Sequence, residues 1–142
     1  DLARLAEAMM RMAPTTPERD EVLARALVAA GRADAAVAVA RRAIAARGER
    51  MDLMLALAEA LWGGGNDGLA EAMGLYDRIG RAAPERSATW WLAQLRRLQI
   101  LDRVGRSTDA IGPRVTRLRA IDPALGGPQL AAAFLELAAR HE

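Results

Sequence analysis

Few side chains in this sequence could act as nucleophiles or as metal ligands. There is no cysteine, and the single histidine, His141, is the penultimate residue. Without cysteine the chain can form neither disulfides nor thiolate metal sites. A lone histidine at the end of the chain does not make up a two-histidine metal site or a catalytic triad. We therefore predict no catalytic residue, no metal site and no cofactor.

One glycine-rich stretch, Gly63-Gly64-Gly65-Asn66, has the composition of a phosphate-binding loop. Such a loop follows a strand and runs on into glycine, lysine and a hydroxyl residue, and this sequence has neither feature. Asp67 can instead cap the helix that comes next. The stretch is therefore predicted to be a lengthened loop between two helices.

The carboxylates are dispersed at helical spacings and have arginine neighbours. Candidates for a paired acid and base are Glu59, Glu71, Asp77 and Glu136. A helical enzyme that uses such carboxylates is one alternative function. Because nothing in the sequence supplies a nucleophile, a metal cluster or a cofactor motif beside them, we predict that the protein is not an enzyme.

Every basic residue is an arginine, and the 20 arginines face 18 carboxylates, which gives a net charge of +2. A lysine-free chain rich in alanine and arginine is typical of a GC-rich genome, so the high isoelectric point is poor evidence for nucleic-acid binding. Several arginines fall in the last turns of predicted helices, where they offset the helix dipole: Arg41, Arg42, Arg47, Arg117 and Arg119. Arg96 and Arg97 lie in the middle of a helix and keep open a second alternative, arginine-dependent binding of RNA or another anionic polymer.

Composition favours an all-helical fold. The chain has 142 residues, of which only 4% are aromatic, and β-branched residues are too sparse for a sheet of several strands. No apolar run reaches the length of about 18 residues that a membrane span needs. We expect the chain to be a segment of a longer bacterial protein, and the sequence leaves its cellular location undetermined.

The best-formed element is a pair of helices between Leu23 and Gly48. Leu23 and Leu27 lie one turn apart, and Gly31 separates the first helix from a second one that runs from about residue 34 to 47. The second helix carries a stripe of small residues, which lets two helix backbones approach closely: Ala36, Ala40 and Ala43. Such a hairpin cannot bury its apolar faces alone, so it predicts further copies.

The helix-ending residues recur at a fixed spacing. Pro14 and Gly48 are 34 residues apart, and so are Gly31 and Gly65. Each of these two glycines follows a helix with a pair of leucines one turn apart. A repeat of about 34 residues built from a helical hairpin is typical of helical solenoids.

With Pro17 as the first residue of a repeat, the sequence resembles the tetratricopeptide repeat family. The matching residues are Leu23, Ala24 and Leu27 on the first helix, Gly31 at the turn, Ala36, Ala40 and Ala43 on the second helix, and Tyr76 and Pro84 at the aromatic and closing positions of the next unit. The match is close over residues 17–84 and loose after residue 95.

The resemblance implies one all-α domain over residues 1–142, folded as a right-handed solenoid of about three helical hairpins. The expected segments are a half unit at 1–14, repeats at about 17–50, 51–86 and 87–124, and a terminal helix at about 127–140. In the third repeat we predict helices over residues 88–104 and 107–121, with Pro113 bending the first turn of the latter.

The resemblance also implies an interaction scaffold that holds a peptide or helix of another protein in its concave groove. It places eight residues near that face: Arg25, Val28, Leu55, Glu59, Trp62, Trp91, Leu95 and Gln99. Adjacent helical residues point about 100° apart, so Trp90 and Trp91 are not expected to face the same core. Either Trp91 faces the groove, or it packs beneath its own long helix or against the terminal helix.

Overall fold

The computed structural model describes Arg4 and residues 17–142, and the predicted half unit at 1–14 lies outside the described residues. The described elements are helical, with no strand among them, which confirms the all-α class. They are α1 (Pro17–Ala29), α2 (Ala33–Arg47), α3 (Met51–Gly63), α4 (Leu69–Ala82), α5 (Ala88–Val104), a 3₁₀ turn (Thr108–Ala110), α6 (Ile111–Ile121) and α7 (Pro128–Arg140).

Helix ends follow the local signals in the sequence. Gly31 has a φ of +76°, the left-handed conformation that ends a helix without a Cβ penalty. The Ser87 hydroxyl caps α5 by accepting a hydrogen bond from the Trp90 N–H at 3.2 Å. The predicted helix at 107–121 differs from the structure, because a 3₁₀ turn comes first and Pro113 is only the third residue of α6. Proline is tolerated there because the N–H groups of the first turn have no partner within the helix.

The chain divides into two compact units, Asp1–Leu75 and Tyr76–Glu142. In the described part of the first unit, α1, α2 and α3 each pack against the other two. The core that they share consists of Leu23, Ala24 and Leu27 from α1, Ala36 and Val39 from α2, and Ala56 and Ala60 from α3. Burying each leucine contributes roughly 1.5 to 3 kcal/mol, and the alanines allow the helices to come close enough to enclose them.

Arg41 on α2 also reaches the beginning of α4. Its Nη1 donates to Glu71 Oε2 at 2.8 Å, and its Nη2 donates to Glu71 Oε1 at 2.6 Å. Hydrogen bonding from Arg41 lowers the pKa of Glu71, and the same contact raises the pKa of Arg41. Both side chains are well exposed, so water screens this ion pair.

In the second unit, α7 packs against both α5 and α6. Phe134 of α7 is fully buried and meets the Trp91 ring edge to face, with centroids 6.1 Å apart. At the end of the chain, Asp102 of α5 contacts two residues: its Oδ2 lies 2.8 Å from Arg140 Nη2, and its Oδ1 lies 2.6 Å from His141 Nε2. Aromatic packing and these polar contacts together hold α7 against α5.

Candidate interaction surface

Part of the predicted partner-binding set lies on one face of α3. Leu55, Glu59 and Trp62 are half-buried, and their spacing of four and three residues places them on the same side of the helix. A half-buried leucine and tryptophan leave apolar area in contact with water, which a partner could cover. This face combines apolar area with one carboxylate.

Two further predicted residues, Arg25 and Val28, lie on α1, which packs directly against α3. Val28 is half-buried, and its Cγ1 would lie 3.5 Å from a Cβ added at Gly63, the residue after Trp62. Arg25 is exposed and forms an ion pair with Glu21, with 2.5 Å between Nη2 and Oε1. Val28 thus adjoins the end of α3 that follows Trp62, and Arg25 lies one turn before Val28 on α1. We call Arg25, Val28, Leu55, Glu59 and Trp62 the α1–α3 surface.

The structure places the other three predicted residues, Trp91, Leu95 and Gln99, on α5 in the second unit. Trp91 and Leu95 are each only 3% exposed, so neither is accessible to a partner. Gln99 is half-buried, and its Oε1 accepts a hydrogen bond from Arg96 at 2.8 Å. The expectation that Trp91 and Leu95 line an open groove is therefore corrected: both belong to buried packing.

The position of Trp91 agrees with its alternative placement against the terminal helix. Its neighbour Trp90 is also buried, and the two rings meet edge to face at 4.9 Å. The expectation that adjacent tryptophans do not face the same core assumed a helix with one covered face. Buried residues of α5 lie on more than one face: Ala93 and Ile100 share one side of the helix, and Trp91 points to another. The apolar face of α7, with Phe134, was the signal that a second covering element exists.

Gly63 ends α3, and Gly64, Gly65 and Asn66 lie in the loop between α3 and α4, as predicted. A pocket of about 280 Å³ lies beside it, lined mostly by apolar groups: Ala33, Asp34, Val37, Ala60, Leu61, Gly64 and Gly68. A Cβ at Gly68 would lie 2.8 Å from Leu61 Cδ2, so the end of the Leu61 side chain would have to move to admit a larger residue there. Among the described residues of the lining, the charged group is the Asp34 carboxylate, which repels phosphate, so the geometry does not support a phosphate-binding loop.

A polar cluster between α5 and α6 was not predicted from the sequence. Gln94 is only 5% exposed, and its Oε1 accepts a hydrogen bond from Arg114 Nη2 at 3.0 Å. Burial lowers the pKa of Arg114, and the positive charges of Arg97 and Arg117 lower it further. The sequence analysis considered Arg97 and Arg117 separately. The contact between their two helices, Arg114 with Gln94, joins residues that are 20 positions apart in the chain, so the sequence did not predict it.

Among the described residues, no group of three acidic or histidine side chains is placed to hold a metal ion, and no helix has both the length and the apolar character to cross a membrane. Comparison of the chain with family models, with curated proteins and with solved structures found no match.

Proposed function

We propose that this chain is a tetratricopeptide-like interaction module, in which right-handed stacking of helical hairpins presents a groove for a peptide or helix of a partner protein. The observation that carries the proposal is the packing of the first unit. There α1 contacts both α2, the second helix of its own hairpin, and α3, the first helix of the next. Stacked hairpins require this pair of contacts, because each repeat buries its apolar faces against its neighbour.

The α1–α3 surface indicates what kind of partner would bind. Leu55, Trp62 and Val28 supply half-buried apolar area, while Glu59 and Arg25 supply one charge of each sign. An aromatic residue and an arginine among aliphatic side chains is a common composition for residues that dominate binding energy. A peptide or helix with an apolar stripe flanked by charges fits this surface.

The geometry supports the two alternative functions less well. A carboxylate enzyme would need two acidic groups in one cavity, whereas the described lining of the pocket beside the α3–α4 loop has a single acidic residue, Asp34. Glu71 and Asp77 each face an arginine, Arg41 and Arg97 respectively. An RNA-binding stripe based on Arg96 and Arg97 is also less favoured, because both side chains are half-buried and Arg97 is paired with a carboxylate.

A peptide selection tests the proposal. Peptides of random sequence displayed on phage are selected against the purified chain, and the affinity of the selected peptides is measured by fluorescence anisotropy. We expect Val28→Ala and Leu55→Ala each to weaken binding by about fivefold or more, the effect of truncating an important interface residue. Circular dichroism of each variant checks that the helices remain folded.

Matched controls are available for both substitutions. Val22 on α1 is 56% exposed and Leu135 on α7 is 44% exposed, and neither belongs to the α1–α3 surface. Val22→Ala and Leu135→Ala should leave affinity within twofold, the small effect usual for surface substitutions. Equal losses from Val22→Ala and Val28→Ala would contradict the proposed surface. A selection that yields no binding peptide would contradict the proposed function.

A further inference from the structure

Four polar side chains of α5 and α6 centre on Arg114, which donates a hydrogen bond to Gln94 and feels the positive charges of Arg97 and Arg117. Gln94 and Arg97 are one turn apart on α5, and Arg114 and Arg117 are one turn apart on α6. The two helices are joined by the hydrogen bond from Arg114 to the buried Gln94. We call these four residues the arginine cluster.

The arginine cluster has an excess of positive charge. Among the described residues, a carboxylate pairs with one of its three guanidinium groups, that of Arg97, whose Nε lies 2.7 Å from Asp77 Oδ1. The Arg97 Nε–H forms no hydrogen bond despite this distance, so the contact is an ion pair. Arg114 bonds to a neutral amide, and within residues 17–142 no carboxylate forms an ion pair with Arg114 or Arg117. Two positive charges are therefore left without a negative partner in the described part of the chain.

A bound anion would offset the burial and the like-charge repulsion that act on Arg114. Arg114 is half-buried and stays protonated, because a guanidinium ordinarily titrates far above neutral pH. Burial and the like charges of Arg97 and Arg117 lower its pKa, which means that they disfavour its charged form. Gln94 uses one of the five N–H donors of Arg114, and the remaining donors are not bonded to any described carboxylate.

We propose that Arg97, Arg114 and Arg117 bind a phosphate group, either as inorganic phosphate or as a phosphomonoester, with Gln94 holding Arg114 in position. Guanidinium groups match the tetrahedral oxyanion by donating paired hydrogen bonds. A phosphate group also carries close to two negative charges near neutral pH, which matches the two positive charges of the cluster that have no described carboxylate partner. This inference does not depend on the proposed interaction module, because its residues belong to the second unit and the α1–α3 surface belongs to the first.

The test measures binding of inorganic phosphate and of O-phosphoserine to the full chain by isothermal titration calorimetry, at constant ionic strength set with sodium chloride. Both ligands present the same chemical group, so their relative affinities show whether the site takes the free ion or the monoester. We expect saturable binding of at least one of them to a single site. We expect Arg117→Gln to weaken this binding by about tenfold or more, the effect of losing a charge-assisted hydrogen bond.

Arg119→Gln is the matched control, because it removes the same charge from the same exposed part of α6. Residues two apart point to nearly opposite sides of a helix, so Arg119 does not face the cluster and its substitution should change affinity less than twofold. Arg117 is exposed, so Arg117→Gln keeps the test valid even if Arg114→Gln impairs folding.

Three results would overturn the inference. Heats no larger for phosphate and phosphoserine than for added chloride would show that the cluster binds neither. Equal weakening by Arg117→Gln and Arg119→Gln would show that only overall charge matters. Binding of a short single-stranded RNA by a chain that binds neither small ligand would assign the arginines to an extended polymer surface instead.

Discussion

Substitution of Gly126 by alanine gives the sharpest test of how the second unit is packed. Gly126 lies between α6 and α7 and has a φ of +85°. A Cβ at this residue would lie 2.7 Å from Trp91 Cγ and 2.8 Å from Trp91 Cβ. These atoms form the base of the tryptophan side chain, so no rotation of the ring can move both of them away. The loop or α5 would have to shift.

The expected loss of stability has two parts. A non-glycine residue in the left-handed region costs roughly 1 to 2 kcal/mol. Forcing an extra carbon into a close-packed contact costs roughly 1 to 3 kcal/mol more. Gly126→Ala should therefore lower the free energy of unfolding by about 2 to 5 kcal/mol, which is a large share of the total for a domain of this size.

Gly105→Ala separates the two parts. Gly105 follows α5 with a φ of +72°, and a Cβ there would have nothing within 4 Å. The Gly105→Ala variant should therefore lose only the stability that comes from the backbone conformation, roughly 1 to 2 kcal/mol of unfolding free energy. The measurement is urea unfolding of the wild type and both variants, followed by tryptophan fluorescence and circular dichroism. If Gly126→Ala and Gly105→Ala lost equal stability, Trp91 would not pack against this loop, and its placement in the core would be refuted.

Two ion pairs lead to further predictions. Glu71→Gln should lower stability at pH 7 by less than about 1 kcal/mol, because the pair with Arg41 is exposed. Arg41 depresses the folded-state pKa of Glu71 below its ordinary value of 4.5, so this contribution is present above pH 4.5 and is lost as the pH falls through the folded value. Urea unfolding of both proteins at pH 7 and at a series of pH values below 4.5 measures the contribution. A stability difference that does not shrink as the pH falls would argue against the pair. Asp102→Asn removes the charge that holds the end of α7 and should destabilise that helix by about 1 kcal/mol, which speeds amide exchange about fivefold in α7. Equal acceleration in α1 would contradict a local role for Asp102.

Local chemistry in the sequence was sufficient to predict the helices. The helix α5 begins after Ser87 and ends before Gly105, as predicted, and Gly31 separates α1 from α2 as expected. A helix is stabilised by contacts between residues three and four apart and by capping groups next to its ends, so its limits can be predicted from short stretches. The exception was the beginning of α6, where a 3₁₀ turn replaces the first predicted turn of helix.

The candidate surface could be predicted only in part. Leu55, Glu59 and Trp62 share a face of one helix, and that follows from their spacing alone. The same reasoning projected Trp91 outward, because spacing tells which residues share a face but not how many faces of a helix are covered. Contact with Phe134, 43 positions later in the sequence, decided that Trp91 is buried.

For this protein, the sequence by itself determined the all-helical class, most helix limits and the small-residue packing of α2, since each depends on neighbours within a few residues. Only the tertiary structure decided that Trp91 is core, that Val28 adjoins the end of α3, and that Arg114 reaches Gln94 on another helix. The physical reason is that burial and charge pairing depend on groups distant in the chain, whose approach is determined by how the helices pack.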